Sequence, residues 1–360
     1  MTGISRLTPR ERVRLALEHR DTDRVPIAMV CSGINEPTRA RFDELLRRER
    51  GKSAQEYLDG ILDVRGVDVP YVGPRLAADT DIWGVKRAAF CYGEGAYYEI
   101  EHYPLADAKD VRDLEKHRWP APQFFDYSAF PERIAAARSD RDYCLMLANG
   151  NIFETSWYMR GFERMFVDML DNPELAHAIL SRVTDFYVEH FTRALAAAKG
   201  GVDLVFTADD IGSQRGLLMS LGMWERFIKP HHARLNKAIH SFGAKVIYHS
   251  DGAVMEAVPG LIDMGIDVLQ ALQFDAEGMD PAILKDTYGG KLCFEGGASV
   301  QRTLPFGTAD DVRGEVRKLI SVLGRTGGYI FGPAHSIQAG TPPENVLAMF
   351  ETALEWKPSR

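Results

Sequence analysis

The chain reads as an α/β protein, a single-domain (β/α)8 TIM barrel, on three observations. From residue 143 onward, short apolar runs alternate with amphipathic stretches, as parallel strands joined by right-handed helical crossovers do. The strand candidates number seven, with helices between the later ones. The length of 360 residues exceeds the ~150 of an average domain but suits one large barrel. No GxGxxG follows a first strand, which weakens an open dinucleotide-binding sheet.

The elements follow in order. Thr8-Pro9-Arg10-Glu11 combines an N-cap, a proline at N1 and a glutamate at N3, so a helix opens there with Val13, Leu15, Ala16 and Leu17 as its apolar positions. Residues 25–30 form a short apolar run, a buried strand. The stretch from about 50 to 125 is rich in aromatics (Tyr71, Trp83, Phe90, Tyr92, Tyr97, Tyr98, Tyr103) and lacks a long period. It predicts an irregular insertion, a lid or rim, with room for an eighth strand between 60 and 110. Strands are then predicted over 144–148, 203–207, 245–248, 267–271, 291–294 and 329–331. Helices are predicted over 153–170, 173–199, 222–242, 253–264, 280–288, 308–324 and 343–356.

Composition narrows the function classes. With 45% hydrophobic and 26% charged residues, the chain is an ordinary globular one. A net charge of −8 without a basic cluster argues against a nucleic-acid surface. No apolar run approaches the ~18 residues needed to span a bilayer. The charged opening stretch is unlike a signal peptide, and Cys31, Cys91, Cys144 and Cys293 are scattered, with no CxxC pair. A cytoplasmic protein with unpaired thiols is expected.

Reactive side chains stand just after the predicted strands. Asp209, Asp210, Gln214 and Arg215 follow 203–207; His249 and Asp251 follow 245–248; Gln270 and Gln273 mark the end of 267–271. Glu295 follows 291–294, and His335 and Gln338 follow 329–331. In a barrel these carboxyl ends meet at one mouth, where the active site is built. His249, Asp251, Glu295 and His335 form a divalent-metal set suited to Zn²⁺, with Mn²⁺ or Fe²⁺ as alternatives. A metal-free reading uses Asp209 or Asp210 to stabilise a protonated substrate and His249 or His335 as general acid. Arg160 and Arg215 are candidates to clamp a carboxylate, and Gln270, Gln273 and Gln338 to contact substrate. Each has a plain structural alternative: Asp209-Asp210 as a helix cap, the arginines as surface residues, the glutamines as strand caps.

Several segments resemble the uroporphyrinogen decarboxylase-like superfamily: Leu7-Thr8-Pro9-Arg10-Glu11-Arg12, Asp23-Arg24-Val25-Pro26-Ile27, Asp81-Ile82-Trp83-Gly84-Val85 and Arg160-Gly161-Phe162-Glu163. So do Thr207-Ala208-Asp209-Asp210-Ile211-Gly212, His249-Ser250-Asp251-Gly252 and Pro342-Pro343-Glu344-Asn345. The resemblance spans nearly the whole chain and implies one barrel, an enzyme, and a homodimer. It implies one of two chemistries. The decarboxylases are similar to one another in an arginine-rich loop after strand one; here that loop is Cys31-Ser32-Gly33-Ile34-Asn35-Glu36-Pro37, with no arginine before Arg39. A tetrapyrrole with eight carboxylates would lack partners there. Asp81 lies roughly where the decarboxylases carry a central aspartate. The second branch comprises zinc methyltransferases that work with corrinoid proteins through His-x-Cys-Gly and a later Cys. His249 matches that histidine; Asp251 and His335 stand at the cysteine positions. The harder site favours oxygen-bearing substrates.

The first expectation is therefore a metal-dependent methyltransferase demethylating a small O- or N-methyl substrate, with a corrinoid protein or folate as acceptor. His249, Asp251 and His335 would hold the metal, Glu295 would be fourth ligand or base, and Asp209, Asp210 and Gln214 would orient the substrate. The alternative is a cofactor-free decarboxylase using Asp81, Asp210 and Arg160 or Arg215. A barrel that only binds a ligand is a third reading, against which the converging polar strand ends count.

Overall fold

A computed structural model describes residues 7–31, 33–93 and 95–356; the opening six residues and Ser32, both read above, lie outside them. Among the described residues nine strands occur: β1 Val64–Gly66, β2 Lys86–Tyr92, β3 Gly95–His102, β4 Cys144–Asn151, β5 Leu204–Ala208, β6 Lys245–His249, β7 Val268–Ala271, β8 Cys293–Ala298 and β9 Tyr329–Pro333. Seven form one parallel sheet in the order β1-β4-β5-β6-β7-β8-β9; β2 and β3 pair as a separate antiparallel hairpin. The sheet curls on itself in the manner of a barrel. The short run at 26–28 bonds to both of its edges: Ala28 N–H to Phe331 O at 2.9 Å, Phe331 N–H to Pro26 O at 2.7 Å, and Asp63 N–H to Ile27 O at 2.8 Å. The predicted strand at 25–30 is thus reduced to a single bridge, Ile27 with Phe331. Pro26 has no N–H to extend the ladder.

The interior is apolar and has a floor. Val64, Met146, Leu204, Ile247, Val268 and Ile330 pack in one cluster with Val13 and Ala16 of the helix Pro9–Leu17, which plugs the amino ends of the strands. Thr8 caps that helix in a reciprocal box with Glu11. Arg12 and Arg24 converge on the fully buried Asp63, at 2.6 and 2.7 Å, and Arg12 also pairs with Asp23. Asp63 Oδ2 accepts from Ile27 N–H at 2.8 Å, so this network ties the first strand to β1.

The structure departs from the sequence reading at identifiable places. The stretch 50–125 is not irregular throughout: it holds the helix Ala54–Ile61, β1 and the β2–β3 hairpin. The helix predicted over 153–170 is two helices, Ile152–Arg160 and Phe162–Asp171, because Gly161 turns with φ +97° between them. That over 222–242 divides into Leu221–Phe227 and Lys229–His240 at Pro230, which lacks the helical donor. Among the described residues no helix is long and apolar enough to cross a membrane.

Candidate active site

Adjacent strands carry their polar residues in register. Ala208 pairs with His249, His249 with Gln270 and Gln270 with Glu295, and register partners in a parallel sheet point to the same face. His249, Gln270 and Glu295 therefore form one belt across β6, β7 and β8. The Gln270 carboxamide oxygen accepts from His249 Nδ1–H, which leaves Nε2 facing the mouth. Glu295 is fully buried and neither of its oxygens has a hydrogen-bond partner. Burial pushes its carboxyl far above the ordinary range, Cys31 adds to the effect, and Gln270 and His249 only partly offset it. Gly332 leaves room for this carboxyl, since a Cβ there would lie 2.8 Å from Glu295 Oε1.

The loops above this belt interlock. Ser250 Oγ accepts from Ile211 N–H at 3.0 Å, and Asp251 N–H donates to Asp210 Oδ1 at 2.8 Å. Gly252, at φ +85°, leaves no room for a Cβ, which would sit 2.6 Å from Gly212 C and Ser213 O. Gly252 N–H donates to Gln273 Oε1 at 2.8 Å. The two motifs around Asp210 and Asp251 thus lock each other in place.

Donor atoms gather around His249 Nε2. Cys31 Sγ is 3.9 Å from it and Asp210 Oδ1 3.4 Å. His335 Nε2 is 3.8 Å from Asp251 Oδ2, while Asp251 Oδ1 is buried without a partner. Among the described residues two groupings have all their donor atoms within 4.8 Å of one another: Cys31, His249 and His335, and Asp210, His249 and Asp251. Sulfur, imidazole and carboxylate donors of this kind, with an orphaned buried carboxylate oxygen beside them, fit a divalent ion. Burial opposes the charged His249, but Cys31, Asp210 and Asp251 outweigh it and hold its pKa well above the usual value. Burial would raise the Cys31 thiol, yet His249 and His335 bring it down to about 7.

The remaining predicted residues are placed as follows. Glu295 stands outside both donor groupings, on β8, two strands from His249 with Gln270 between them. Asp209 is fully buried: its oxygens accept from Phe153 and Glu154 N–H, both at 2.8 Å, and from His232 Nε2 at 2.5 Å. It caps the helix Ile152–Arg160 and has no oxygen free for substrate. Arg160 is no carboxylate clamp. Its guanidinium is buried against Asp168 at 2.6 Å and the carbonyls of Leu105, Ala106 and Ala108. Gln214 and Arg215 are exposed at a turn closed by Ser213 N–H and Gly216 O. Gln338 accepts from the hairpin's Tyr97 hydroxyl at 2.5 Å, tying the β2–β3 hairpin to the loop after β9. Asp81 accepts from Trp83 and Val85 N–H and pairs with Arg87 at 2.7 Å.

Two clefts stand out, the first of which is lined by residues of the donor cluster. One, of about 470 Å³, is bounded by Asp251, Gln273, His335, Gln338, Tyr97 and Phe306. The other, of about 520 Å³, has a wall of Trp83, Phe125, Phe186 and Tyr187 and carries Asp81, Arg87, Asn151 and Tyr158 as polar groups. Asn151 Nδ2 and Tyr158 OH each donate to Glu154 at 2.7 Å. Burial, then Asp210 and Asp209, push the Glu154 carboxyl up to about 8. Sequence reasoning passed over Cys31, Arg87, Glu154 and Tyr158. Cys31 had a signal, since it too follows a strand; the others lie on the hairpin and on a helix, away from strand ends.

The comparisons agree with this architecture. The uroporphyrinogen decarboxylase (URO-D) family model matches residues 8–356. A methylated-thiol–coenzyme M methyltransferase of Methanosarcina mazei is 28% identical over 203 residues, 56% of this chain and 51% of that protein. A uroporphyrinogen decarboxylase of Anaeromyxobacter dehalogenans is 27% identical over 204 residues, 55% of this chain and 54% of that protein. The matched part spans about half the length of these two curated relatives. A solved structure described as a methyltransferase from Methanosarcina mazei superposes with a TM-score of 0.68 at 21% identity, over 97% of this chain and 99% of that one; at that identity it bears on the fold. With the family match running from the first helix to the last, the chain belongs to the uroporphyrinogen decarboxylase family.

Proposed function

We propose that this chain is a metal-dependent methyltransferase that removes a methyl group from a small O- or N-methyl substrate and passes it to a corrinoid protein or a folate. The observation that carries the reading is that His249 belongs to two donor groupings, one with Cys31 and His335 and one with Asp210 and Asp251, beside the cleft that Asp251 and His335 line. The methyltransferase of Methanosarcina mazei among its relatives supports the same branch. Bound there, a divalent ion would act as a Lewis acid on the substrate heteroatom.

The chain's own residues supply the rest. Gln270 holds His249 in the tautomer that presents Nε2. Asp210, anchored by Asp251 N–H, borders His249 and orients the bound substrate. The aromatic wall of Trp83, Phe125, Phe186 and Tyr187 excludes water and suits a flat apolar body carrying the methyl group. The carbon–oxygen or carbon–nitrogen bond breaks with its electron pair left on the heteroatom, which takes up a proton, and the methyl carbon bonds to the acceptor.

The decarboxylase alternative is favoured by one placement, Asp81 beside Arg87 on the wall of the aromatic cleft. The same placement counts against a polycarboxylate. Among the described residues lining the two clefts, Arg87 is the one arginine or lysine, and it is already paired with Asp81.

Metal content per chain, measured by plasma mass spectrometry on untagged protein, tests the reading together with His249→Ala. About one transition metal per chain is expected in the wild type, and H249A should lose both metal and methyl transfer to free reduced cobalamin while melting as the wild type does. Turnover that survives H249A, or decarboxylation by chelator-treated protein, would overturn it.

A further inference from the structure

The sequence places Cys31 in the loop after the first strand, far from the histidines, and the fold returns it to them. Ile34 bridges Ile337, with Asn35 N–H bonded to Ile337 O at 2.9 Å and Ile337 N–H to Gly33 O at 3.1 Å. This stitch ties the loop that carries Cys31 to the loop that carries His335. The thiol therefore hangs over His249 on a braced segment. We propose that Cys31 Sγ is a protein ligand of the metal, together with His249 Nε2 and a ring nitrogen of His335. The inference rests on the metal reading above and changes its ligand set, from nitrogen and carboxylate donors to one sulfur and two imidazoles.

The geometry supports that set over the alternative built on Asp210. A tetrahedral zinc or cobalt site with bonds of about 2.3 Å to sulfur and 2.0–2.1 Å to nitrogen has ligand edges of about 3.3–3.6 Å. The Cys31–His249 separation is 3.9 Å and all three donors lie within 4.8 Å of one another, so small inward side-chain shifts complete the site. His249 already has its other nitrogen committed to Gln270, which is how a ligating imidazole is held. Asp210 Oδ1, by contrast, already accepts from Asp251 N–H and is 40% exposed as a side chain. Asp251, with one buried oxygen unpartnered and the other 3.8 Å from His335 Nε2, borders the open fourth position.

Of the other cysteines, Cys144 and Cys293 are packed in the barrel interior and Cys91 is exposed on the hairpin. A thiolate in the set selects softer ions, zinc or cobalt over manganese or magnesium.

Cobalt substitution reads this directly. Full-length apoprotein loaded with Co²⁺ should show a sulfur-to-cobalt charge-transfer band in the near ultraviolet. C31S should abolish that band and weaken metal retention by about 100-fold or more, above the 10–100-fold cost of losing an outer partner; C91S should leave both unchanged. Cobalt bound with visible ligand-field bands, no charge-transfer band and equal affinity in C31S would overturn the ligand assignment while leaving the metal reading standing. A wild-type chain that takes up neither cobalt nor zinc would overturn both.

Discussion

Asp209 and Asp210 are neighbours in sequence with opposite fates. A strand end reverses side-chain direction from one residue to the next, so Asp209 turns inward to the first turn of the helix Ile152–Arg160 and Asp210 faces the mouth. Substituting Asp209→Ala leaves two helix N–H groups and buried His232 without their acceptor, at a cost of about 3 kcal/mol. The melting temperature should fall sharply while metal per folded chain stays at the wild-type level. A variant that melts normally but loses metal would make Asp209 a ligand and not a cap.

At the level of elements, short connections decide how exactly the strand ends meet. β9 runs against the run at 26–28 on one side and carries Gly332 over Glu295. A Cβ at 332 would lie 2.4 Å from Ala28 O and 2.8 Å from Glu295 Oε1. Gly332→Ala should therefore destabilise by about 1–3 kcal/mol, the usual cost of overpacking. Gly216→Ala, with nothing within 4 Å of its added carbon, should be neutral. Denaturant midpoints for the two compare them directly, and equal midpoints would refute the close approach. The strand–helix alternation was legible because each crossover helix shows one apolar stripe to the sheet. The helix Thr38–Arg50 was not, because Phe42, Leu45 and Leu46 are few among charged residues and only tertiary packing reveals their face.

For the whole molecule the informative titrations lie away from the donor cluster. Burial lowers the pKa of His190 to about 4, and burial followed by His232 and other cationic neighbours lowers that of His231 to about 4. Both are held neutral in the fold, His190 beside the Tyr127 hydroxyl and His231 beside that of Thr184. Below the unfolded value of about 6.5 the unfolded chain takes up protons that the folded chain refuses, so stability falls with pH. The loss should begin near pH 6.5 and level off near pH 4, each histidine contributing on the order of 2 kcal/mol. Urea unfolding of the wild type and H190Q between pH 7 and 4.5 isolates the His190 share by difference, since Glu154, raised to about 8, changes stability with the opposite sign; an H190Q slope equal to that of the wild type would contradict the burial of that ring.

The sequence by itself determined the parallel strand–helix architecture, the resemblance to the family, and the strand ends at which His249, Asp251 and His335 would appear. Those are local facts, carried by periodicity, by turn residues and by a two-residue spacing that keeps side chains on one face. Only the tertiary structure decided how each side chain's bonding capacity is taken up. It drew Cys31 to a histidine 218 positions later, gave the Asp209 oxygens to a helix start 55 and 56 positions earlier, and buried the Arg160 guanidinium under the carbonyls of 105–108. Curling the sheet onto the run at 26–28 makes neighbours of the first and last loops, and a buried polar group then bonds with whatever partner stands beside it.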